Sequence, residues 1–172
     1  MPVSYVRDLV ERWRTTYDWR ARGPAQRPPA LHHRDRRPDH PLRACSPHED
    51  ATPLILTHGW PNTFVEYMGL VDELTNPADP ADAFHVVIPD MPGFGFSGPT
   101  REAGWNRHRI AAAWAELMRR LGYERYGVHG NDAGAFVAPE QARQNPDNVI
   151  GMHVNQTGSA SSWAPPWTPT PC

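Results

Sequence analysis

Between Ala51 and Thr157, short apolar runs that end near glycine or proline alternate with amphipathic stretches, and this alternation constrains the fold most strongly. The runs PLILT, FHVVI, YGVHG and VIGMHV have the length of buried strands and are too short for buried helices. The stretches Asn62–Leu74 and Trp105–Leu121 have helical spacing, and Gly122 is placed to cap the second. The sequence therefore predicts an α/β fold whose mostly parallel sheet has right-handed crossovers and flanking helices.

Bulk properties exclude several classes of function. A chain of 172 residues suits one domain, and a net charge of −2 gives no reason to expect a nucleic acid or an anionic membrane as partner. No apolar run has the length of a membrane span, and the charged N-terminus is unlike a signal peptide. Cys45 and Cys172 lack disulfide or metal-ligand spacing. We therefore expect a cytoplasmic protein without metal or cofactor.

The ends and one internal segment differ from this core in texture. Residues Val3–Arg22 read as an N-terminal helix that Gly23 ends. Residues 23–50 are rich in proline, arginine and histidine without apolar periodicity, and the tail 157–172 is similar. The chain has 20 prolines, well above average usage, and these two segments hold many of them. We predict irregular structure in both segments and a partial α/β core over 51–156.

The motif with the clearest chemistry is Gly130-Asn131-Asp132-Ala133-Gly134, which lies between a predicted strand and a predicted helix. Small-x-nucleophile-x-small is the pattern of a nucleophile elbow, a sharp turn that needs residues without bulk on both sides. The same pentapeptide is also compatible with a simple turn in which Asp132 caps the helix.

An aspartate at the elbow limits the reaction. Attack by a carboxylate on an acyl carbon would make a reactive anhydride, whereas attack on a saturated carbon makes an ester that water can cleave. Asp132 as nucleophile therefore suits the opening of an epoxide or the displacement of a halide.

A second motif, His58-Gly59-Trp60-Pro61, follows an earlier strand, where α/β-hydrolases place an oxyanion-hole loop. The two backbone donors of that hole would be the N–H groups of Trp60 and Ala133. We expect His58 to shape the loop and not to act as the catalytic base.

A third piece, Asp90 to Ser97, places the glycine-rich sequence PGFGFS after another strand. This arrangement is similar to the loop that borders the active site in the same superfamily, so we expect Phe94 to shape the site. A plain glycine-rich turn would have the same composition.

Together with WRTTYDWR near the N-terminus and RLGYERYG before the elbow, these motifs resemble the epoxide hydrolase family of the α/β-hydrolase fold, in the microsomal-type subfamily with an N-terminal extension. The resemblance covers residues 3–22 and 51–156. It implies that Asp132 opens a small-molecule epoxide to form an alkyl-enzyme ester. It also implies that two tyrosines of a lid protonate the epoxide oxygen and that a His–acid pair activates the water that releases a diol.

The sequence departs from the family in two ways. Ala133 stands where the family usually has tryptophan, and the lid, late acid and late histidine have no counterpart in this chain. We expect His129 and His153 to be packing residues and not a substitute base. The resemblance therefore implies an incomplete N-terminal part of the fold, which stalls after ring opening.

Three alternatives stay open. A haloalkane dehalogenase-like hydrolase would also use an elbow aspartate, although Ala133 argues against it. The chain could instead be a non-catalytic fragment, or a half that binds a partner or forms an oligomer. A one-base frame slip over residues 23–45, with a second slip after residue 156, would explain the irregular segments. It would also cost the strand at Leu54–Thr57 a neighbour and the strand at Val149–Val154 its later partners.

Overall fold

The computed structural model describes residues 2–18, 20, 42–44 and 46–156, with only the backbone described for 42–44. The chain divides into two compact units, residues 1–31 and 32–172. The first contains helix α1, Val3–Thr15. The predicted N-terminal helix is confirmed but ends before Arg22, because the Tyr17 N–H bonds back to the Arg12 carbonyl and closes the last turn.

The second unit is built on a five-stranded sheet with the spatial order β1-β3-β2-β4-β5. The strands are β1 (Leu42–Ala44), β2 (Thr52–Thr57), β3 (Phe84–Ile88), β4 (Tyr126–Gly130) and β5 (Val149–Val154). Every pairing is parallel except that of β1 with β3. The predicted α/β class and its mostly parallel sheet are confirmed.

Strand β1 corrects the prediction that residues 23–50 hold no regular structure. Its three residues, Leu42–Ala44, pair antiparallel with β3. So short a strand cannot show a period-two pattern, which is why the sequence gave no signal for it. Residues 46–50 are described and hold turns without helix or strand, whereas residues 23–41 and 45 lie outside the described residues, as does the tail 157–172.

The expected loss of a neighbour by β2 is not seen in the described sheet, and the frame slip itself stays a prediction. Strand β2 lies in the middle, with β3 on one side and β4 on the other. The crossover connections place later strands on both sides of β2, so its pairing does not depend on the segment that precedes it.

Helices form most of the segments that connect one strand to the next. The stretch predicted as one helix over Asn62–Leu74 is a 3-10 helix, Phe64–Leu70, followed directly by α2, Val71–Thr75. Helix α3 runs over Arg107–Arg120 and α4 over Gly134–Gln144. Short 3-10 turns occupy Pro80–Asp82 and Gly95–Ser97.

The core forms where α3 and α4 pack on the sheet. Ile110, Trp114 and Met118 follow one another at intervals of four on α3 and are buried against the central strands. Asn106 caps the start of α3 by accepting the N–H groups of His108 and Arg109. Its end is closed by Gly122, whose φ of +84° confirms the predicted cap.

Strand β5 forms one edge of the described sheet. Ile150 and Met152 on this strand are about half exposed, in contrast to the buried residues of β4. Among the described residues, no helix combines the length and apolarity that crossing a membrane requires.

Candidate active site

The site lies where β2 and β4 end. These strands are parallel neighbours, and Thr57, the last residue of β2, pairs with Gly130, the last residue of β4. Because their carboxyl ends meet at one edge of the sheet, the loop after β2 lies beside the turn after β4. In open α/β sheets, this is the edge at which ligands bind.

The turn after β4 has the geometry of a nucleophile elbow. Asp132 has a φ of +46°, in the left-handed region, and α4 starts two residues later. A Cβ on Gly130 would lie 2.1 Å from the Gly134 carbonyl oxygen, and a Cβ on Gly134 would lie 2.0 Å from that of Thr57. Only glycine fits at either position, so the close approach of Gly130 to the start of α4 and that of Gly134 to the end of β2 both require the small residues of the motif.

The loop after β2 holds one oxygen of the Asp132 carboxylate. The Trp60 N–H donates to Asp132 Oδ1 over 2.8 Å. A Cβ on Gly59 would lie 2.4 Å from the Asp132 Cβ, so glycine at 59 allows the loop to approach the elbow this closely. The Ala133 N–H has no hydrogen-bond acceptor within the ranges that the structure describes. The carboxylate is thus anchored through Oδ1, and its side chain lies in an exposed position.

His58 is completely buried under this loop. Its Nε2 accepts the Met91 N–H over 3.0 Å, so Nδ1 carries the proton and donates to the Gly59 carbonyl at 2.9 Å. Both ring nitrogens are therefore occupied, and the 3.6 Å contact between Nε2 and Asp90 is not an ion pair. This arrangement supports a structural role for His58. It holds the loop at Gly59, where a turn begins that contains Pro61 and is closed by the hydrogen bond from the Asn62 N–H to the Gly59 carbonyl.

Asp90 organises the third loop. Its Oδ1 accepts the Phe64 N–H at 2.7 Å and its Oδ2 accepts the Phe96 N–H at 2.8 Å. Gly95 lies against the carboxylate, since a Cβ there would be 2.2 Å from Oδ2. Phe94 contacts the His58 ring edge-on, with ring centroids 5.6 Å apart. The sequence placed Asp90 at the start of the glycine-rich loop but did not predict that its carboxylate would hold the loop. The signal that could have indicated it is a single carboxylate directly after a buried strand.

Two residues that the sequence reasoning missed reach the elbow from the 3-10 helix. Glu66 accepts a hydrogen bond from Asn131 Nδ2 and, over 3.4 Å, from the Gly59 N–H. The Tyr67 hydroxyl lies 3.0 Å from both Asn131 Oδ1 and the Thr57 carbonyl oxygen. Burial raises the pKa of Tyr67, and the Glu66 carboxylate adds to the rise, so the hydroxyl stays a donor.

His129 and His153 form a pair across β4 and β5. Their Nδ1 atoms are 2.8 Å apart, closer than face-to-face stacking allows, so one Nδ1–H donates to the other. Burial lowers the pKa of His129, and the neighbouring His153 lowers it further. Tyr67 packs edge-on against His129 with centroids 5.5 Å apart. These contacts support packing roles for both histidines.

The arrangement provides a fixed carboxylate, one bound backbone donor and a further donor at the start of α4. Backbone donors in this position stabilise the negative charge that develops on the carbonyl oxygen when an ester of the carboxylate is attacked. In the described ranges, no group of three histidine, cysteine, aspartate or glutamate side chains could hold a metal ion.

Comparison with known families agrees with this geometry. The family described as "alpha/beta hydrolase fold" matches residues 52–170, and the one described as "Epoxide hydrolase N terminus" matches residues 1–67. The fold and the site thus define an α/β-hydrolase.

Individual relatives narrow the class. The chain is 45% identical over 161 residues to the "Putative epoxide hydrolase" of Stigmatella aurantiaca, covering 90% of this chain and 37% of that protein. It is 30% identical over 162 residues to epoxide hydrolase 1 of Sus scrofa, covering 88% of this chain and 36% of the pig protein. The chain therefore spans just over a third of the length of these relatives.

Solved structures give the same result. The epoxide hydrolase of Aspergillus niger superposes with a TM-score of 0.73 and 25% identity over 99% of this chain and 44% of that one. The juvenile hormone epoxide hydrolase of Bombyx mori superposes with a TM-score of 0.63 and 32% identity over 67% of this chain and 31% of that one. The chain belongs to the epoxide hydrolase family of the α/β-hydrolase fold.

Proposed function

We propose that Asp132 is the nucleophile of an epoxide-opening reaction. The single observation that carries the proposal is the 2.8 Å hydrogen bond from the Trp60 N–H to Asp132 Oδ1. It holds one oxygen at the position of a future ester carbonyl and leaves Oδ2 to attack. The exposed position of the side chain gives a substrate access to it.

In the proposed step, Oδ2 forms a bond to an epoxide carbon while the bond from that carbon to the ring oxygen breaks. The ring oxygen takes a proton from solvent water, which reaches the exposed side chain, and leaves hydroxide; the product is a hydroxyalkyl ester of Asp132. The second half-reaction would be attack of water on the ester carbon, with the negative charge collecting on Oδ1. The N–H groups of Trp60 and Ala133 are the donors that would stabilise this charge.

We further propose that the 172-residue chain by itself stops at the ester. His58 has both ring nitrogens engaged, and His129 and His153 bond to each other through Nδ1. In the described part of the chain, none of these three histidines is placed as the base that activates water, so we expect the ester to persist.

The test is intact-mass spectrometry of the purified chain after incubation with styrene oxide, followed by peptide mapping. We expect a mass gain of one epoxide on Asp132 and none in Asp132→Asn, which tolerates the left-handed backbone and removes the charged nucleophile. A gain that persists in Asp132→Asn, or a wild-type chain that never gains mass, would contradict the proposal.

Two further arms separate the alternatives. Free diol in excess of protein would show turnover and contradict the expected stall. Incubation with an alkyl bromide of the same carbon skeleton tests the dehalogenase alternative, which predicts faster labelling by the halide than by the epoxide. A folded chain that reacts with neither reagent would support the alternative that it is a non-catalytic fragment or a half that binds a partner.

A further inference from the structure

The 3-10 helix Phe64–Leu70 supplies a carboxylate that contacts both halves of the site. Glu66 Oε1 accepts from Asn131 Nδ2, beside the nucleophile, while Glu66 Oε2 accepts the N–H of Gly59, which directly precedes Trp60. The two contacts therefore tie the residue before the nucleophile to the residue before its backbone donor.

The charge on Glu66 also determines how the Asn131 amide is oriented. Tyr67 can donate its hydroxyl proton to Asn131 Oδ1, and a carboxylate can only accept, so Nδ2 must face Glu66. The reversed amide would place its oxygen against the carboxylate. The Asn131 side chain is thus held at both ends, and the one hydroxyl proton of Tyr67 is shared between Asn131 Oδ1 and the Thr57 carbonyl oxygen, each 3.0 Å away.

We propose that Glu66 is a positioning residue for the nucleophile: it holds the Trp60 N–H and the Asp132 carboxylate at hydrogen-bonding distance by tying Gly59 to Asn131. This inference rests on the proposed function for its kinetic consequence, although the contact itself does not. Glu66 acts through other residues and does not itself touch the reacting atoms. Misplacement of a reacting group by about 1 Å can cost on the order of 100-fold in rate.

The kinetic test compares Glu66→Gln with wild type in the labelling of Asp132 by styrene oxide at several reagent concentrations. Glutamine keeps the size but has only one acceptor oxygen, so it cannot hold both donors. We expect the maximal labelling rate to fall at least about 10-fold, with the half-saturating concentration changed less than about twofold. Glu73→Gln is the matched control, because Glu73 is exposed and forms no side-chain hydrogen bond or ion pair with another described residue.

A double-mutant cycle separates positioning from a general loss of structure. If Glu66 acts through Asn131, Asn131→Ala should also slow labelling, and the double variant should be little slower than the worse single variant. Melting temperatures should stay close to wild type for Glu66→Gln, because its side chain is exposed. Additive effects, or a rate loss that follows the loss of folded protein, would overturn the proposal.

A second measurement does not depend on reactivity. In proton–nitrogen NMR spectra, the Trp60 amide should shift upfield and exchange with solvent at least about 10-fold faster in Glu66→Gln than in wild type or Glu73→Gln. An unchanged Trp60 amide contradicts the positioning role even if labelling occurs. A wild-type chain that is not labelled, yet whose Trp60 amide depends on Glu66, contradicts the proposed reaction and leaves the positioning contact supported.

Discussion

The neighbouring parallel strands β4 and β5 differ in how closely their surroundings approach the backbone. At the end of β4, an added Cβ on Gly130 or on the following Gly134 would meet a backbone carbonyl oxygen at 2.1 or 2.0 Å. On β5, a Cβ on Gly151 would meet no described atom within 4 Å, and Met152 beside it is half exposed. The same residue type is thus a steric requirement in one strand and not in the other.

The difference is what the proposed function requires. The elbow lies at the end of a central strand, where β2, β4 and α4 converge, and Asp132, the proposed nucleophile, is bonded there to the loop after β2. Strand β5 forms an edge of the described sheet and meets the elbow through its last residues, where His153 bonds to His129 and Val154 pairs with Gly130. The closest approach of backbone segments is therefore found around Asp132, where the proposed function requires fixed positions, and not on the edge strand β5.

The largest expected effect comes from Gly134→Ala. In an ordinary helix, alanine in place of glycine stabilises by about 1 kcal/mol. At 134 the new Cβ meets the Thr57 carbonyl at 2.0 Å, and we expect a loss of about 3 kcal/mol or failure to fold. Gly151→Ala is the matched control, with an expected change within about 1 kcal/mol. Urea denaturation followed by circular dichroism gives the free energy of unfolding of both variants. Equal losses would show that close packing at Gly134 is no more demanding than the open surroundings of Gly151.

A second contrast is between a buried and an exposed carboxylate. Arg143 lowers the pKa of Glu140 on α4 to about 2, with Gln144 and His108 adding to the effect, against an ordinary value of 4.5. Because the folded-state pKa is depressed, this stabilisation is present above about pH 4.5 and is lost as the pH falls toward 2. We expect Glu140→Gln to lose about 1–2 kcal/mol at pH 7 and to approach wild type in acid.

The control is Glu116→Gln on α3. Arg119 and Arg120 lower the pKa of Glu116 to about 2 as well, but its side chain is 41% exposed, far more than that of Glu140, and water screens its ion pairs. Free energies of unfolding from urea titrations across the acid range should change less for this variant. A pH dependence as large for Glu116 as for Glu140 would show that burial does not govern the difference.

The third effect, similar in size to that of Glu140→Gln, tests the end of β2. Trp114 Nε1 donates to Thr57 Oγ1 over 3.1 Å, and both residues are buried. Trp114→Phe should cost about 1–2 kcal/mol, partly because the Thr57 hydroxyl loses its partner. Thr57→Val in the Trp114→Phe background should cost less than Thr57→Val in wild type. If the two substitutions change the free energy of unfolding additively, the hydrogen bond between Trp114 and Thr57 contributes nothing to the stability of the close packing at the ends of β2 and β4.

The sequence predicted the elbow and the loop after β2 because both depend on short-range chemistry. Gly130, Asp132 and Gly134 occupy a five-residue pattern, and the family resemblance placed Trp60 beside it. The strand and helix types of the core were predicted for the same reason, since apolar spacing within one element determines them.

The supporting contacts could not be predicted in this way. Glu66 and Asn131 are 65 residues apart, and nothing in the pattern around Glu66 distinguishes it from an exposed helical glutamate such as Glu73. Strand β1 was missed because three residues show no period.

The sequence by itself therefore determined which residue is the candidate nucleophile, because the turn around Asp132 demands glycines at fixed local spacing. Only the tertiary structure decided which residues hold it in place. The order of the strands brings the loop after β2 and the 3-10 helix against the elbow, and contacts between distant segments depend on that order and not on any local pattern.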